Sequence, residues 1–513
     1  MTTPCLLAIG LLPLLVQDAP PDPSPVPATA ADGVVPGAEL PVEPLAMSLV
    51  EVLDLARTNN IGLRVEANAE QVRYYTHLGS WGAFDPLVAV TGSYTDTEQP
   101  ATTSLAGADV VESDTLGLSA SLQLPLRTGG RFELGYDQSN TRTNSTFSIE
   151  DTLTNSGLQL TYTQPLLRGA WADYNTVEQR KAELAWRQAQ ERYRELQADL
   201  RRDVTQSYWD LVAAREALAV QEETLALGRQ QLEQNQRRLD VGVGTEVEVL
   251  QARANVALQI EALLAAQTTL VAADDALKAQ FFARSEGTDW DDWYDWWDRP
   301  ILPTTPLPEV EEGLARRLDW TGSLARALTA RPELRQRLTD VELAELDLLR
   351  ASSDVDSSLD ATIGLSSAAV DGQSSEAVQT ATSFDFPTAT ASLTWSMPLG
   401  NRAASNALEA ARLGLRSARL VYEQVETAVL TEVRAAVRDS LYRAEAVRAA
   451  TTSYELAQRQ LDAEEARFEQ GLATNFQVLE YQQQLAQAKS NLVAARVAYA
   501  KARTALARAE GEL

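Results

Sequence analysis

The side chains that most often carry out catalysis or bind metals are nearly absent from this sequence. Its 513 residues include one histidine, His77, and one cysteine, Cys5. A Ser–His–Asp triad or a zinc site with histidine ligands would depend on His77 alone, and one cysteine cannot form a disulfide framework. We therefore predict no catalytic residue, no cofactor and no metal site, and we expect His77 to lie on a helix surface or to pack between helices.

The densest cluster of oxygen ligands is the segment "GTDWDDWYDWWDRP", residues 287–300. Its carboxylates are of the kind that calcium prefers, but their spacing is not that of an EF-hand loop. The tryptophans also suit an insert that packs on neighbouring helices, and we favour packing over calcium binding. The residues concerned are Trp290, Trp293, Trp296 and Trp297 with Asp289, Asp291, Asp292, Asp295 and Asp298.

One short motif occurs twice in the chain. Residues 238–251, "RLDVGVGTEVEVLQ", align without gaps with residues 467–480, "RFEQGLATNFQVLE", and share Gly242/Gly471 and Thr245/Thr474. Glycine just after a helix adopts the left-handed conformation without strain. Threonine followed three residues later by Glu248 or Gln477 makes a capping box. Each motif therefore predicts the end of one long helix and the start of its antiparallel partner.

The whole chain is predicted to be a duplication of one unit. Two further pairs of segments match in the same order, namely 53–64 with 324–335 and 163–170 with 396–403. We therefore divide the chain into repeats at 48–283 and 320–513, with the Trp/Asp-rich insert at 284–319 between them. Between these two matches the offset falls from 271 to 233 residues, so the first repeat holds about 38 extra residues before Pro165.

Both repeats contain segments in which apolar and small polar residues alternate, as they do in β-strands. The alternation is clearest in 115–124, 156–164 and 390–397. We expect strands over about 86–165 in the first repeat and about 359–398 in the second. This pattern suits a barrel with one face toward lipid and one toward water, although the faces of a soluble β-sandwich show the same alternation.

Long helices are predicted after the strands of each repeat. They span about 171–241 and 246–283 in the first repeat, and about 402–470 and 474–511 in the second. In the last helix Leu485, Leu492, Tyr499 and Leu506 are spaced by seven residues, a spacing typical of helices that pack side by side.

The N-terminal region bears on the location of the protein, and the net charge bears on its partners. Residues 1–16 hold a short apolar run of signal-peptide length, but Met1–Cys5 has no lysine or arginine, so we assign an atypical signal peptide and leave lipidation of Cys5 open. Residues 17–47 are a Pro/Ala-rich linker. No other stretch approaches 18 consecutive apolar residues, so we expect any membrane crossing to be made by β-strands. The formal charge of −28 argues against a nucleic-acid partner.

Together these features resemble the TolC family of trimeric outer-membrane efflux ducts over residues 48–513. The resemblance rests on the duplication, on "QPLLRGA" and "PLGNRAASNALEAA" between strand and long helix, and on the twin turns. It implies a mainly α fold with a transmembrane β-barrel portion, in which three chains form a β-barrel continuous with an α-helical barrel. It also implies an outer-membrane exit duct, not an enzyme, for passive export of small molecules or proteins by a tripartite efflux or type I secretion system.

The resemblance further implies partners and roles for the twin turns. A homotrimer surrounded by outer-membrane lipid, with its helices in the periplasm, would bind a periplasmic adaptor protein and serve an inner-membrane pump of the RND or ABC type. The implied adaptor-docking tips are Gly242, Val243, Gly244, Thr245, Gly471, Leu472, Ala473 and Thr474. The implied pore constriction comprises Glu246, Glu248, Phe468, Gln477 and Glu480. Ala473 stands where some relatives carry an arginine, so we do not expect a salt-bridged lock in the second turn.

Several alternatives stay open in the sequence. A soluble, elongated coiled-coil scaffold with β-rich insertions is the second interpretation, and a periplasmic adaptor, which would lack the duplication, is the third. Glu248 has both a capping and a pore-lining interpretation. The 38 extra residues either widen the barrel beyond two strands per repeat or form an extracellular hairpin. Neither the exported substrate nor the pump class is indicated.

Overall fold

Ten α-helices, one 3-10 helix (Trp81–Phe84) and eight strands can be given bounds in the described part of the chain. The computed structural model describes residues 43–101, 107–146, 148, 150, 152–281, 294, 296–310, 318–470 and 472–513. The helices are α1 (Leu49–Asn59), α2 (Ile61–Ser80), α3 (Ala172–Asn175), α4 (Val177–Asp240), α5 (Glu246–Lys278), α6 (Trp320–Ala330), α7 (Pro332–Asp354), α8 (Ser374–Ser383), α9 (Arg402–Glu469) and α10 (Asn475–Glu510). The strands are β1 (Leu45–Met47), β2 (Leu87–Pro100), β3 (Val110–Pro125), β4 (Arg131–Thr143), β5 (Thr152–Pro165), β6 (Ile301–Pro303), β7 (Ser358–Asp371) and β8 (Pro387–Ser396).

Some of the sequence predictions fall on residues outside the described part. The signal peptide with Cys5 and most of the linker lie there, and so do Gly471 and much of the Trp/Asp-rich insert. The undescribed members of the insert are Asp289, Trp290, Asp291, Asp292, Trp293 and Asp295. The assignments of these residues stay predictions.

Two helical hairpins of the predicted kind form most of the molecule. The long arms α4 and α9 have 64 and 68 residues, which corresponds to about 100 Å each at 1.5 Å per residue. The returning arms α5 and α10 have 33 and 36 residues, so each covers about half of its long partner. Shorter helices, α2 along α4 and α7 along α9, pack on the long arms as well. Contacts of α4 with α7 and α10 join the two repeats.

The first long helix starts later than the sequence suggested. Trp171 has a φ of +73°, which cannot continue a helix, and the one-turn helix α3 separates it from Val177, where α4 begins. The side-chain amide of Asn175 donates to the carbonyl oxygens of Gly169 (2.7 Å) and Trp171 (2.9 Å) and fixes this connection. The backbone conformation between β5 and α4 therefore decides where α4 starts. The spacing of apolar residues in the sequence does not indicate this conformation.

All four strands of the first repeat and both of the second belong to one antiparallel sheet, in the order β2-β3-β4-β5-β7-β8. The extra residues of the first repeat are thus two more strands of this sheet rather than a hairpin outside it. The helix α8, between β7 and β8, packs against β5 and β7 at the end of the sheet that is far from the long helices, where the hydroxyls of Thr154 and Ser374 are 3.1 Å apart.

Two related apolar cores surround the middle of the long helices. In the first, Val52 of α1 packs with Tyr208 and Leu211 of α4, beside the parallel pair β1–β6. In the second, Ala327 of α6 packs with Val433 of α9. The two cores lie at equivalent positions, because α1 and α6 are the same element of the two repeats. The duplication therefore extends to the three-dimensional packing.

Buried charges connect the elements around these cores. The Arg508 guanidinium donates to Asp199 of α4 (2.8 Å) and to Glu333 of α7 (2.6 Å). Lys278, at the end of α5, pairs with Asp274 (2.5 Å) and donates to the carbonyl oxygen of Trp297 (2.6 Å). A buried charge without its partner is strongly destabilising. These pairs therefore fix how the helices and the end of the insert meet.

The N-termini of the twin helices α1 and α6 are capped by side chains. The Ser48 amide donates to the Glu51 carboxylate and lowers the pKa of that carboxyl, with the Ser48 hydroxyl contributing further. At α6 the Thr321 hydroxyl donates to Asp319, and together with the amides of Thr321 and Gly322 it lowers the pKa of that carboxyl. Both caps set the point where the chain enters a helix at the middle of the molecule.

Among the described residues, α5 is long and apolar enough to cross a membrane by length and composition alone. Its alanine, leucine and valine side chains are interrupted by polar and charged residues, among them Arg253, Gln259 and Glu261, so a strictly apolar run never forms. It returns antiparallel along α4 as the second arm of a hairpin, which makes its composition weak support for a membrane span.

Candidate functional site: the two faces of the sheet and the helical tips

The six-stranded sheet has one apolar face. The pairing register aligns one residue from each strand in rows across the sheet, and residues of one row share a face. One complete row contains Val88, Leu122, Leu134, Leu160, Leu365 and Ala389. The row beside it on the same face contains Leu124, Phe132, Tyr162, Ile363 and Ala391. Further toward the helices, Trp395 lies opposite Leu359.

The opposite face of the same sheet is polar. One of its rows contains Ala89, Ser121, Gly135, Gln159, Ser366 and Thr388, and the next contains Leu87, Gln123, Glu133, Thr161, Gly364 and Thr390. Val88, Ile363 and Leu393 on the apolar face are more than 60% exposed. An exposed apolar face on a sheet whose other face is polar matches a wall between lipid and water.

The first repeated turn closes its helix with a Schellman motif. The amide of Val243 donates to the carbonyl oxygen of Arg238 (3.0 Å) and that of Gly242 to Leu239 (2.9 Å), and Gly242 has a φ of +78°. Thr245 then caps α5, and the Glu248 carboxylate accepts from the Thr245 amide (3.1 Å). The predicted turn chemistry is confirmed.

The second turn repeats this geometry. The amide of Leu472 donates to the carbonyl oxygen of Arg467 (2.9 Å), the counterpart of the bond from Val243 to Arg238. Thr474 caps α10, and the Gln477 side-chain oxygen accepts from the Thr474 amide (2.8 Å). Glu248 and Gln477 are therefore both engaged in capping boxes at equivalent positions.

The two tips lie side by side. The Arg238 guanidinium lies 5.2 Å from the ring centre of Phe468, a cation–π contact between the end of α4 and the end of α9. Farther along the returning arms, the Gln483 amide reaches Asn255 (3.4 Å). The structure thus brings both turns together, although the sequence offered no signal for the pairing of Arg238 with Phe468.

The acids of the tips that are not caps are exposed. Glu246 is exposed in the first turn of α5, and Glu480, likewise exposed, meets only its neighbour Gln484 at 3.4 Å among the described hydrogen bonds. Apolar side chains are exposed there too. Those with more than 60% exposure are Val241, Val243, Val247, Leu250, Leu472 and Phe476. A groove of about 510 Å³ beside the first turn is lined by Leu239, Val247, Leu250 and Arg253, among others.

His77 and the described part of the Trp/Asp-rich insert make packing contacts. The His77 ring stacks on Trp186 of α4, with ring centres 5.9 Å apart. In the insert, the Arg299 guanidinium lies 5.9 Å from the Trp296 ring. Among the described residues no group of three or more histidine, cysteine or acidic side chains is arranged to hold a metal ion, and most acids of the insert lie outside those residues.

Two regions of the chain, residues 82–280 and 323–512, match the model of a protein family described as outer membrane efflux protein. The chain belongs to the outer membrane efflux protein family. The two matched regions fall within the two repeats, and the family predicted from the duplication, the strand-to-helix motifs and the twin turns is confirmed. As an outer membrane efflux protein, the chain is located in the outer membrane and belongs among transport channels.

Solved structures of channels share the fold of this efflux protein. The Campylobacter jejuni CmeC outer membrane channel has a TM-score of 0.64 at 16% identity, covering 90% of this chain and 85% of that one. Vibrio cholerae VceC gives 0.63 at 15% identity, with 90% and 96% covered. The outer-membrane channel OprN gives 0.62 at 16% identity, with 90% and 89% covered. Among curated proteins, none matches the chain in sequence.

The tip caps lead to a first prediction. Thr245→Ala and Thr474→Ala remove the side-chain acceptors for the amides of Glu248 and Gln477, and loss of a cap costs about 1 kcal/mol. We expect amide hydrogen exchange in the first turns of α5 and α10 to become about fivefold faster. Thr224→Ala is the control, because its hydroxyl only donates to Val220 within α4. Unchanged exchange at the tips would show that the caps do not hold them.

Proposed function

We propose that this efflux protein is the exit duct of a tripartite efflux or type I secretion system, through which small molecules or proteins pass passively. The observation that carries the proposal is the union, in one chain, of a sheet with an exposed apolar face and two long helical hairpins with adjacent tips. The sheet would stand in the outer membrane, and the hairpins, about 100 Å long, would extend through the periplasm.

The proposed assembly is a homotrimer that works with two further proteins. Three copies supply the neighbours that the exposed helix faces and sheet edges lack in one chain. The exposed Val243 and Leu472 at the tips would bind a periplasmic adaptor, because apolar anchors rimmed by polar residues are typical of docking sites. The adaptor would in turn connect the duct to an inner-membrane pump of the RND or ABC type. The other proposed docking residues are Gly242, Gly244, Thr245, Gly471, Ala473 and Thr474.

The proposed constriction depends most on the acids that do not cap helices. Glu248 and Gln477 already accept hydrogen bonds from the Thr245 and Thr474 amides, so their first role is to hold the turns. Glu246 and Glu480 have exposed carboxylates and would set the charge of the pore at the tips. Phe468, against Arg238, would help to hold the two tips together in the closed state.

Adaptor docking is tested by placing charge on the apolar tips. In cells that lack the native gene, the double variant Val243→Asp/Leu472→Asp should raise accumulation of an efflux dye to the level of the deletion strain, because a carboxylate cannot enter an apolar site without a partner. The purified variant should keep wild-type single-channel conductance. Val243→Ile/Leu472→Ile, which keeps both side chains apolar, is the matched control and should restore efflux.

Membrane fractionation of the same cells distinguishes the duct from the scaffold interpretation. A heat-modifiable trimer in the outer-membrane fraction is expected, whereas a soluble, elongated oligomer would contradict the duct. Wild-type efflux by the double aspartate variant at normal abundance would contradict docking at the tips.

Charge at the constriction is tested with Glu480→Ala in single-channel recordings. A carboxylate about 7 Å from a passing ion attracts a cation and repels an anion by about 0.6 kcal/mol each in water, so we expect the cation-to-anion permeability ratio to fall about sevenfold. Glu480→Asp keeps the charge and should behave as the wild type. If Glu480→Ala leaves both selectivity and conductance unchanged, Glu480 does not line the pore.

A further inference from the structure

The first repeat contributes twice as many strands to the sheet as the second. The chain passes through β2, β3, β4 and β5 before its first long helix, but only through β7 and β8 before its second. Every neighbouring pair is antiparallel with a continuous register, over 14 residue pairs between β2 and β3 and 13 between β3 and β4. The additional pair of strands is therefore part of the wall.

The side chains of β3 and β4 continue the two faces of the wall. Leu122 of β3 and Leu134 of β4 stand in the apolar row between Val88 of β2 and Leu160 of β5. Ser121 and Gly135 stand in the polar row on the other side. A hairpin projecting into water would not need an apolar face in register with its neighbours.

The turn between β3 and β4 is fixed at the helical end of the sheet. The amide of Trp171 and the side-chain amide of Gln164 both donate to the Thr128 carbonyl oxygen, at 3.2 and 3.0 Å. The Arg127 guanidinium lies 4.5 Å from the centre of the Trp81 ring. At Gly129, which has a φ of +84°, an added Cβ would come within 2.3 Å of the Gly169 carbonyl oxygen. This close packing holds the turn between the strand–helix connections of the first repeat.

The central parts of both edge strands of the six-stranded sheet lack the charges that usually protect an edge against pairing. The edge strand β8, residues Pro387–Ser396, carries no charged side chain, and neither does β2 from Leu87 to Thr95. All ten residues of β8 are exposed. Natural edge strands that stay unpaired are protected by charges, bulges or a cover. Because the sheet has an even number of strands, β2 and β8 run in opposite directions and can continue the antiparallel order between two copies.

We infer that three copies of this chain close their six-stranded sheets, β8 of one against β2 of the next, into a barrel of 18 strands. The inference rests on the trimeric duct proposed above. Two strands per repeat, the number that the family resemblance implies, would give 12. Barrel diameter grows roughly linearly with strand number, so the pore through the membrane would be about 1.5-fold wider and suited to bulkier cargo.

A cysteine at position 93 is the common partner in two tests. One concerns the contacts between copies, and the other the place of β3 and β4 in the wall. Ser93, on the polar face of β2, is changed to cysteine and combined in turn with Thr388→Cys, Thr390→Cys or Ser392→Cys on the polar face of β8. The purified trimer in lipid is oxidised, denatured and run without reductant. We expect products with the mass of two and three chains for at least one of the three pairs. Ala389→Cys and Ala391→Cys, on the apolar face, should give none.

A second pair determines whether β3 and β4 stand in the wall. Ser93 and Asn155 share one row, with β3 and β4 between them. They are thus about 14 Å apart at 4.8 Å per strand, beyond the reach of a disulfide at about 7 Å. We expect Ser93→Cys/Asn155→Cys to keep both thiols open to a maleimide mass tag. The positive control is Thr163→Cys/Thr362→Cys, at adjacent positions with hydroxyls 3.2 Å apart, which should lose both thiols within one chain.

Two results would overturn the inference. One is a disulfide between Ser93→Cys and Asn155→Cys as complete as in the positive control, because β2 would then adjoin β5 in a 12-stranded wall. The other is the absence of inter-chain products for all three β8 positions in a protein that still runs as a heat-modifiable trimer. If no trimer is present in the outer membrane, the proposed duct itself is wrong. Variants that carry only one of the introduced cysteines, oxidised in the same way, show whether Cys5 forms disulfides of its own.

Discussion

A sheet whose apolar face meets lipid cannot leave the backbone amides and carbonyls of its edges unpaired. In hydrocarbon each such group costs several kcal/mol, so the uncharged strands β2 and β8 require partners of their own kind. In the proposed barrel, this constraint is met by copies of the chain placed around an axis. The positions of the long helices follow, because β5 and β8 lead through short connections into α4 and α9.

Because of the duplication, each chain contains two versions of the same structural unit. The two versions differ at positions where we expect function. Both repeats end their long helices with the same turn and surround the middle with related cores of α1 and α6. They differ in the strands, four against two, and in the acids near the tips. Glu248 and Gln477 are equivalent caps, which leaves Glu246 and Glu480 at positions that are not equivalent. The fold is thus repeated, while the charge at the tips is not.

Local features could be predicted from the sequence, and distant pairings could not. The caps at Thr245 and Thr474 depend on residues three positions away, so their chemistry is readable in a short segment. The place of β3 and β4 in the sheet depends on register with β2 and β5, which alternation alone does not encode. The contact of Arg238 with Phe468 joins residues 230 positions apart. The exact start of α4 at Val177 could not be predicted, because the positive φ of Trp171 leaves no trace in the apolar period.

A cryo-electron microscopy structure of the purified protein in lipid nanodiscs would show directly how many strands form the wall. A cross-section through the membrane should show three copies in a closed ring of 18 strands, with leucine, valine and isoleucine side chains outward and β2 adjoining β8 of the next copy. The ring should continue directly into the α-helical portion. A ring of 12 strands, with β3 and β4 outside the wall, or a particle with open sheet edges, would contradict the proposed barrel.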